Sequence, residues 1–310
     1  MKILGIGNAI IDVICKVDDK FIHENNLTKG NMKLTFDEGE FKSLLSKLKI
    51  ERTISGGSVA NSIVGLSQLG NSVGFIGKIS NDEFGEKYEA GLKRENVNYF
   101  YEKKKETLPT GTCLILITPD SERTMFTFLG TAGKINENDI DLEIIKKAEI
   151  IFLEGYLWDE GDPKKAFEKA IQNSTKVAMT LSDKFCVDRH KPHFLELVKN
   201  KLDIVFANEE EIMSLIDAKN FDDVIAFGKD IKKTLIITRG ERGAISITSS
   251  EVNEVGVEKN LNIVDLTGAG DLFASGFLHG YLNDFSQIGC LKKGTEMSAK
   301  IIQQIGARLN

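Results

Sequence analysis

The sequence predicts a three-layer α/β/α sandwich built on a mainly parallel sheet, with a small β-sheet lid. Three observations carry that reading. From residue 132 onward, short apolar runs alternate with segments whose apolar residues repeat at helical spacing, the pattern of successive strand–helix units. Residues 13–36 and 97–131 instead carry β-rich runs joined by short polar turns, which sit poorly in a parallel sheet and suit a small separate one. The 310 residues, 41% of them hydrophobic, suffice for one large α/β core with a smaller excursion. The expected division is a core of residues 1–12, 37–96 and 132–310 and a lid of residues 13–36 and 97–131.

Taken in order, residues 2–7 read as a buried strand and 10–17 as a second β-rich run around one charge, Asp12. A carboxylate among isoleucine and valine is costly unless it meets a partner or a ligand, which makes Asp12 a candidate binding residue. Gly5-Ile6-Gly7 is no dinucleotide fingerprint, because Ile10 takes the third glycine position and no helix follows at once. Residues 27–36 have strand character, Phe41, Leu44, Leu45 and Leu48 mark a helix, and 52–54 lead into Gly56-Gly57. Val59, Ile63, Leu66 and Leu69 then recur at helical spacing up to Gly70, so the two glycines turn the chain into a helix. Asn61, one turn in, can donate and accept toward a hydroxylated ligand lying over them. Strand 73–79 and helix 84–92 precede the lid runs 99–102, 111–118 and 123–129, with Pro119-Asp120-Ser121 as a turn. Strands at 149–153, 176–181, 203–206 and 234–238 alternate with helices at 163–173, 190–200, 208–217 and 221–231. A hairpin over 244–256 and a last helix over 286–305 complete the chain.

A formal charge of -6 without a lysine/arginine block argues against nucleic acid or an anionic membrane as partner, and leaves small polar ligands. Cys15, Cys113, Cys186 and Cys290 lie far apart with no CxxC pair, so neither a zinc site nor a disulfide framework is expected. Reduced thiols, the lack of a cleavable leader pattern and the lack of a run of transmembrane length together predict a cytoplasmic protein.

The strongest chemical signal is Asp265-Leu266-Thr267-Gly268-Ala269-Gly270-Asp271. Glycines around an alanine let backbone N–H groups point inward at a turn, and the apolar series Leu272, Phe273, Phe277, Leu278 sets a helix N-terminus behind it, which makes an anion hole. A carboxylate beside that hole repels the phosphate it attracts unless it has a chemical task. General base to an attacking hydroxyl fits that task. Read alone, the same residues would also serve as a helix cap and a turn. Two further strand ends are polar. Asn208-Glu209-Glu210-Glu211 follows Phe206, and Thr238-Arg239-Gly240-Glu241-Arg242-Gly243 ends the next strand, both where α/β proteins keep their sites. Each alone is equally a capped helix start or a tight turn. No GxxxxGK[ST] and no HRD with DFG occurs, so neither a P-loop nor a protein-kinase site is expected.

In conjunction and order, Gly56-Gly57 with Asn61, Asn208-x-x-Glu211, Thr238-x-Gly240-x-x-Gly243 and Gly268-Ala269-Gly270-Asp271 resemble the ribokinase-like sugar and nucleoside kinases, the PfkB family, from about residue 3 to 305. Within it the chain resembles the adenosine kinases through Gly7-Asn8 before Asp12, Ser58 and Ser62 around Asn61, Thr110-Gly111-Thr112-Cys113, and Phe206 ahead of Asn208. Glu154 in Leu153-Glu154-Gly155-Tyr156 resembles the acid that ribokinases place near their sugar, and Leu266 stands where the family usually has a small polar residue.

The resemblance implies phosphoryl transfer from ATP to a primary hydroxyl: adenosine to AMP in the nucleoside reading, ribose, fructose or a related carbohydrate in the sugar reading. It implies Asp271 as base, the N–H groups of Gly268, Ala269 and Gly270 on the phosphoryl charge, and Arg123 closing from the lid over the phosphates. Asp12, Gly56, Gly57 and Asn61 would hold ribose hydroxyls, and Glu154 the sugar. Leu129, Tyr156 and Leu157 would wall a purine. Asn208 and Glu211 would organise water around Mg2+, with Thr238, Gly240 and Gly243 lining the nucleotide side. A role for K+ and the choice between a monomer and a lid-mediated homodimer stay open. A silent ligand-binding protein on the same fold is disfavoured by the retained Asp271.

Overall fold

Strands that are apolar throughout have two faces to bury, and the central strands of this protein do. The computed structural model describes residues 1–120, 122–158 and 163–309. Among them nine strands form one sheet in the order Val252–Val255, Ala244–Ile247, Thr234–Thr238, Ile204–Asn208, Val177–Thr180, Ile150–Glu154, Ile3–Ile6, Val73–Ile76, Asn98–Tyr99. Pairing is parallel from Thr234–Thr238 through to Asn98–Tyr99 and antiparallel for the two strands at the other edge. Alternation along each strand then divides the interior in two. Ile3, Phe75, Phe152, Phe206 and Ile236 pack with Val59, Ile63, Phe273 and Phe277 of the helices Ser58–Gln68 and Ala269–Leu282. Leu4, Ile76, Leu153, Val205 and Ile237 pack with Phe167, Phe194, Ile212 and Val224. Those two cores make the three layers that the alternation predicts.

A second sheet of five strands runs in the order Met32–Thr35, Arg123–Phe128, Gly111–Ile117, Ile10–Lys16, Ile50–Ser55. The helix Glu38–Leu45 covers one end of it, with Phe41 stacked on Phe128 at 5.1 Å between ring centroids. This sheet differs from the expected lid at three points. Ile50–Ser55, read with the core, pairs antiparallel to Ile10–Lys16 as an edge strand; its first three residues are exposed, so no alternation assigns it to either sheet. Asn98–Tyr99, read with the lid, adds to the edge of the large sheet. Between Ile10–Lys16 and Met32–Thr35 lies a short helix, Asp19–Glu24, started by Asp18, whose Oδ1 accepts from the Phe21 N–H at 2.7 Å. In the Pro119-Asp120-Ser121 turn, Ser121 lies outside the described residues, while Asp120 accepts from Thr118 Oγ1 and pairs with Lys29.

Elsewhere the helix expected from residue 190 starts at Lys184, capped by Asp183, and bends at His190 ahead of Pro192, whose ring removes a helical N–H. The last helix stops at Ile301 rather than 305. Val264 N and Asp265 N both donate to Ile302 O, so the chain turns back there and residues 302–309 lie against the glycine-rich turn. Cys15, Cys113, Cys186 and Cys290 are all buried. Among the described residues no helix is long and apolar enough to cross a membrane.

Candidate active site

Two helices bring the candidate base to the glycine pair, and small residues let them approach. Ser62 Oγ donates to Asp271 O and Ser275 Oγ to Ser62 O, each at 2.9 Å, and a Cβ on Gly65 would fall 2.5 Å from Ser275 Oγ. The Asp271 carboxylate therefore meets the start of helix Ser58–Gln68. Its Oδ1 accepts from Ser58 Oγ at 2.6 Å and its Oδ2 from Asn61 Nδ2 at 2.9 Å. Burial pushes Asp271 up to about 6, opposed by Ser58, Asn61 and Arg308. Ser58 touches Asp271 although sequence reading gives it no role; its position after Gly57 and its place in the resemblance are the signals for it.

Gly268 caps the helix Ala269–Leu282 in the left-handed region at φ 80°. The Ala269 N–H donates to Leu266 O at 3.2 Å, which also explains why a leucine is tolerated at 266: its carbonyl is used and its side chain is exposed. No hydrogen bond within the described residues takes the N–H of Gly268 or Gly270, and a Cβ on Gly270 would meet nothing within 4 Å. Free donors at a helix N-terminus with open space before them fit a phosphate group. Of the three donors expected here, Ala269 is thus committed to the turn itself.

Gly56 and Gly57 have different duties. A Cβ at Gly56 would lie 2.5 Å from Asp12 Oδ2, so that glycine makes room for the carboxylate. Gly57 sits at φ 98° with its missing Cβ 2.2 Å from Asn8 O. Gly57→Ala is expected to destabilise the protein by about 1–3 kcal/mol from backbone strain alone, measured as a lower denaturation midpoint. An unchanged midpoint would show that the turn relaxes.

Asp12 has no hydrogen-bond donor among the described residues, and burial pushes it up to about 7, against the charges of Arg308 and Arg123. It lines a chamber of about 20 Å³, together with Ile14, Ile54, Ile115, Asn61, Arg123, Thr267 and Gly306 to Arg308. That is roughly the room of one water. The apolar wall is therefore Ile14, Ile54 and Ile115, neighbours across the second sheet: Ile14 lies two residues beyond Asp12 on the same face, Asp12 pairs with Ile54, and Ile14 with Ile115. The expected walls lie elsewhere. Leu157 is fully buried in the core on the far side of the large sheet, Tyr156 is tied to Ser182 through its N–H and hydroxyl, and Leu129 is buried just past its strand without lining the chamber.

Glu154 is likewise spent. Its Oε1 accepts from Asn8 Nδ2 and its Oε2 from the Val59 N–H, both at 3.0 Å, so it holds the start of helix Ser58–Gln68 instead of facing the chamber. Burial raises its pKa to about 7. Arg123 reaches across from the second sheet, but pairs with Asp265 Oδ2 at 2.7 Å, at the outer end of the glycine-rich turn.

The other polar strand ends lie along the carboxyl edge of the large sheet, where Asn208 is in register with Thr238. Asn208 and Glu211 form a reciprocal cap: Asn208 Oδ1 accepts from Glu211 N at 2.8 Å, and the Glu211 carboxylate accepts from Asn208 N at 3.0 Å and Nδ2 at 2.6 Å. Among the described residues no group of three or more acids, histidines or cysteines could hold a metal. Both Glu211 carboxylate oxygens already accept from Asn208, which leaves their remaining lone pairs for water. Gly240, at φ 57° with nothing near its missing Cβ, leaves open space beside Thr238, whereas Gly243 is needed for the turn, its Cβ position lying 1.9 Å from Val255 O. Arg239 ties this turn to Glu209 and stacks on Phe221.

Free donors at a glycine-rich turn beside a doubly held carboxylate fit phosphoryl transfer to a hydroxyl. Residues 2–310 match the model of the pfkB family of carbohydrate kinases. The chain is 27% identical to adenosine kinase 2 of Arabidopsis thaliana, over 98% of this chain and 94% of that one. Its structure is similar to that of an adenosine kinase from Sinorhizobium meliloti, with a TM-score of 0.90 and 34% identity, over 99% of this chain and 95% of that one. It is also similar to a probable sugar kinase from Rhizobium etli CFN 42, with a TM-score of 0.88 and 35% identity, over 99% and 94% of the two chains. From the sheet order to the Gly-Ala-Gly-Asp turn, this chain is a kinase that belongs to the pfkB family.

Proposed function

We propose that the protein transfers the γ-phosphoryl group of ATP to a primary hydroxyl of a nucleoside, adenosine being converted to AMP. The observation that carries the chemistry is Asp271: both of its oxygens accept hydrogen bonds, so it is held ionised and oriented beside the unpaired N–H groups of Gly268 and Gly270. The likeness to the Sinorhizobium and Arabidopsis adenosine kinases supports the acceptor, and the Ile14, Ile54 and Ile115 wall supplies the apolar surface that a base needs. Bound Mg2+ would neutralise charge on the ATP phosphates, with Asn208 and Glu211 holding it through water. Thr238 and Gly240 would line the nucleotide side, and Asp12 would take the ribose hydroxyls. The second sheet would have to part from the core to admit an acceptor, since the chamber is smaller than any sugar.

The likeness to a probable sugar kinase at 35% identity favours a second reading, a free sugar as acceptor. One phosphorylation assay across adenosine, other nucleosides, ribose and fructose, with and without K+, decides between them. Turnover with ribose or fructose and none with a nucleoside would overturn the nucleoside reading.

The pH dependence tests the base separately. A base must be deprotonated to act, and burial lifts Asp271 to about 6, so kcat at saturating acceptor should fall as pH drops through about 6. Asp12, lifted to about 7, should weaken acceptor binding over a higher window and move KM first. A flat kcat down to pH 4.5, well below that window, would take Asp271 out of the base role.

A further inference from the structure

After helix Gln287–Ile301 the chain brings residues 306–308 into the site. Gly306 N donates to Asp265 Oδ2 at 2.8 Å, and Ala307 packs so closely that a Cβ on Gly268 would lie 2.7 Å from its Cα. These contacts seat the tail on the anion turn and aim Arg308 between Asp12 and Asp271. Arg308 Nε donates to Asn61 Oδ1 at 3.0 Å, while Asn61 Nδ2 donates to Asp271 Oδ2 at 2.9 Å. A guanidinium only donates, so the atom of Asn61 that it meets must be the oxygen, and the amide nitrogen is thereby turned to the base.

We propose that Arg308 is a positioning residue for the transfer, locking the Asn61 amide so that it donates to Asp271. Remove the guanidinium and the amide is free to rotate away from the carboxylate, leaving Ser58 as its one side-chain donor. A second observation separates this arginine from a merely structural one. Its Nη2 is buried without a hydrogen-bond partner among the described residues, and Arg308 lines the chamber together with Asp12, Asn61, Arg123 and Thr267. A buried guanidinium nitrogen left free is costly, and a ligand oxygen entering that chamber would satisfy it.

The inference rests on Asp271 being the base, so its test has a readout apart from turnover. The charged and titratable groups around Asp271 are Arg308, Asp12, Glu154 and Tyr156, and of these Arg308 is the one that lowers its pKa. In Arg308→Gln the Asp271 carboxyl, followed by carbon-detected NMR of the intact protein, should titrate about half a pH unit higher or more. With whichever acceptor the wild type uses, kcat at neutral pH should fall about tenfold or more, with ATP affinity unchanged. Arg308→Lys should restore the titration midpoint but only part of the turnover, because an ammonium keeps the charge and loses the fork; it also stands in if the glutamine variant does not fold. An unmoved Asp271 midpoint would overturn the proposal. So would a lower acceptor KM at unchanged kcat, which would make Arg308 a plug. If the wild type phosphorylates none of the acceptors while Arg308→Gln still shows the shifted midpoint, that result counts against the proposed function and in favour of the positioning role.

Discussion

Asp271→Asn is expected to lower kcat by about a hundredfold or more, the range over which positioned bases act, while leaving ATP affinity close to that of the wild type. The amide has the carboxylate's shape, and its oxygen can still accept from Asn61 Nδ2. Ser58, whose hydroxyl can rotate, can accept from the new NH2 group in place of donating. What is lost is the ability to take a proton. ATP, in the proposed function, meets the backbone donors of the turn, which the substitution leaves alone. Single-turnover kinetics with calorimetry for ATP separates the two, and turnover within a few-fold of wild type would remove Asp271 from the mechanism.

Asp12→Ala is the second large effect, and it falls on the acceptor. A charged hydrogen bond contributes about 1.5–3 kcal/mol, so acceptor affinity should fall roughly tenfold to a hundredfold, with ATP binding spared. Stability should not fall. The wild-type carboxylate is lodged against Gly56 without a hydrogen-bond donor among the described residues, so its removal relieves a desolvation cost. Calorimetry showing full acceptor affinity, or a variant that melts well below the wild type, would make Asp12 a structural residue.

Asp12 also shows why part of this site was legible from sequence. A lone acid in an isoleucine and valine strand breaks a local rule, and so does a carboxylate beside an anion turn; both violations mark the site without any knowledge of the fold. Glu154 breaks the same rule, but its partners Asn8 and Val59 are 146 and 95 residues away, so only the folded chain shows that it is satisfied. The wall failed for a related reason. Leu129 and Leu157 have the right chemistry, but which side of which sheet they face is set by tertiary pairing, whereas Ile14 follows from Asp12 by alternation alone. Arg308 was hidden by helical periodicity that continues past Ile301, and the break that sends it back into the site is recorded in contacts with Asp265 and Gly268. The alternating half of the chain was readable because each strand there is buried on both faces. The edge strand Ile50–Ser55 was not.

The second sheet contributes Asp12, Ile14, Ile54, Ile115 and Arg123 to the chamber, while Asp271, the Gly268–Gly270 turn and the polar strand ends belong to the body around the large sheet. In the proposed function, recognition of the apolar part of the acceptor and removal of its proton are therefore written on separable pieces of architecture. Retailoring the small sheet, by enlarging or polarising its three isoleucines, changes what is accepted without moving the machinery that acts on it. Drift in acceptor preference is then a matter of few substitutions on one β surface, which gives a physical route by which one scaffold can serve both nucleosides and carbohydrates.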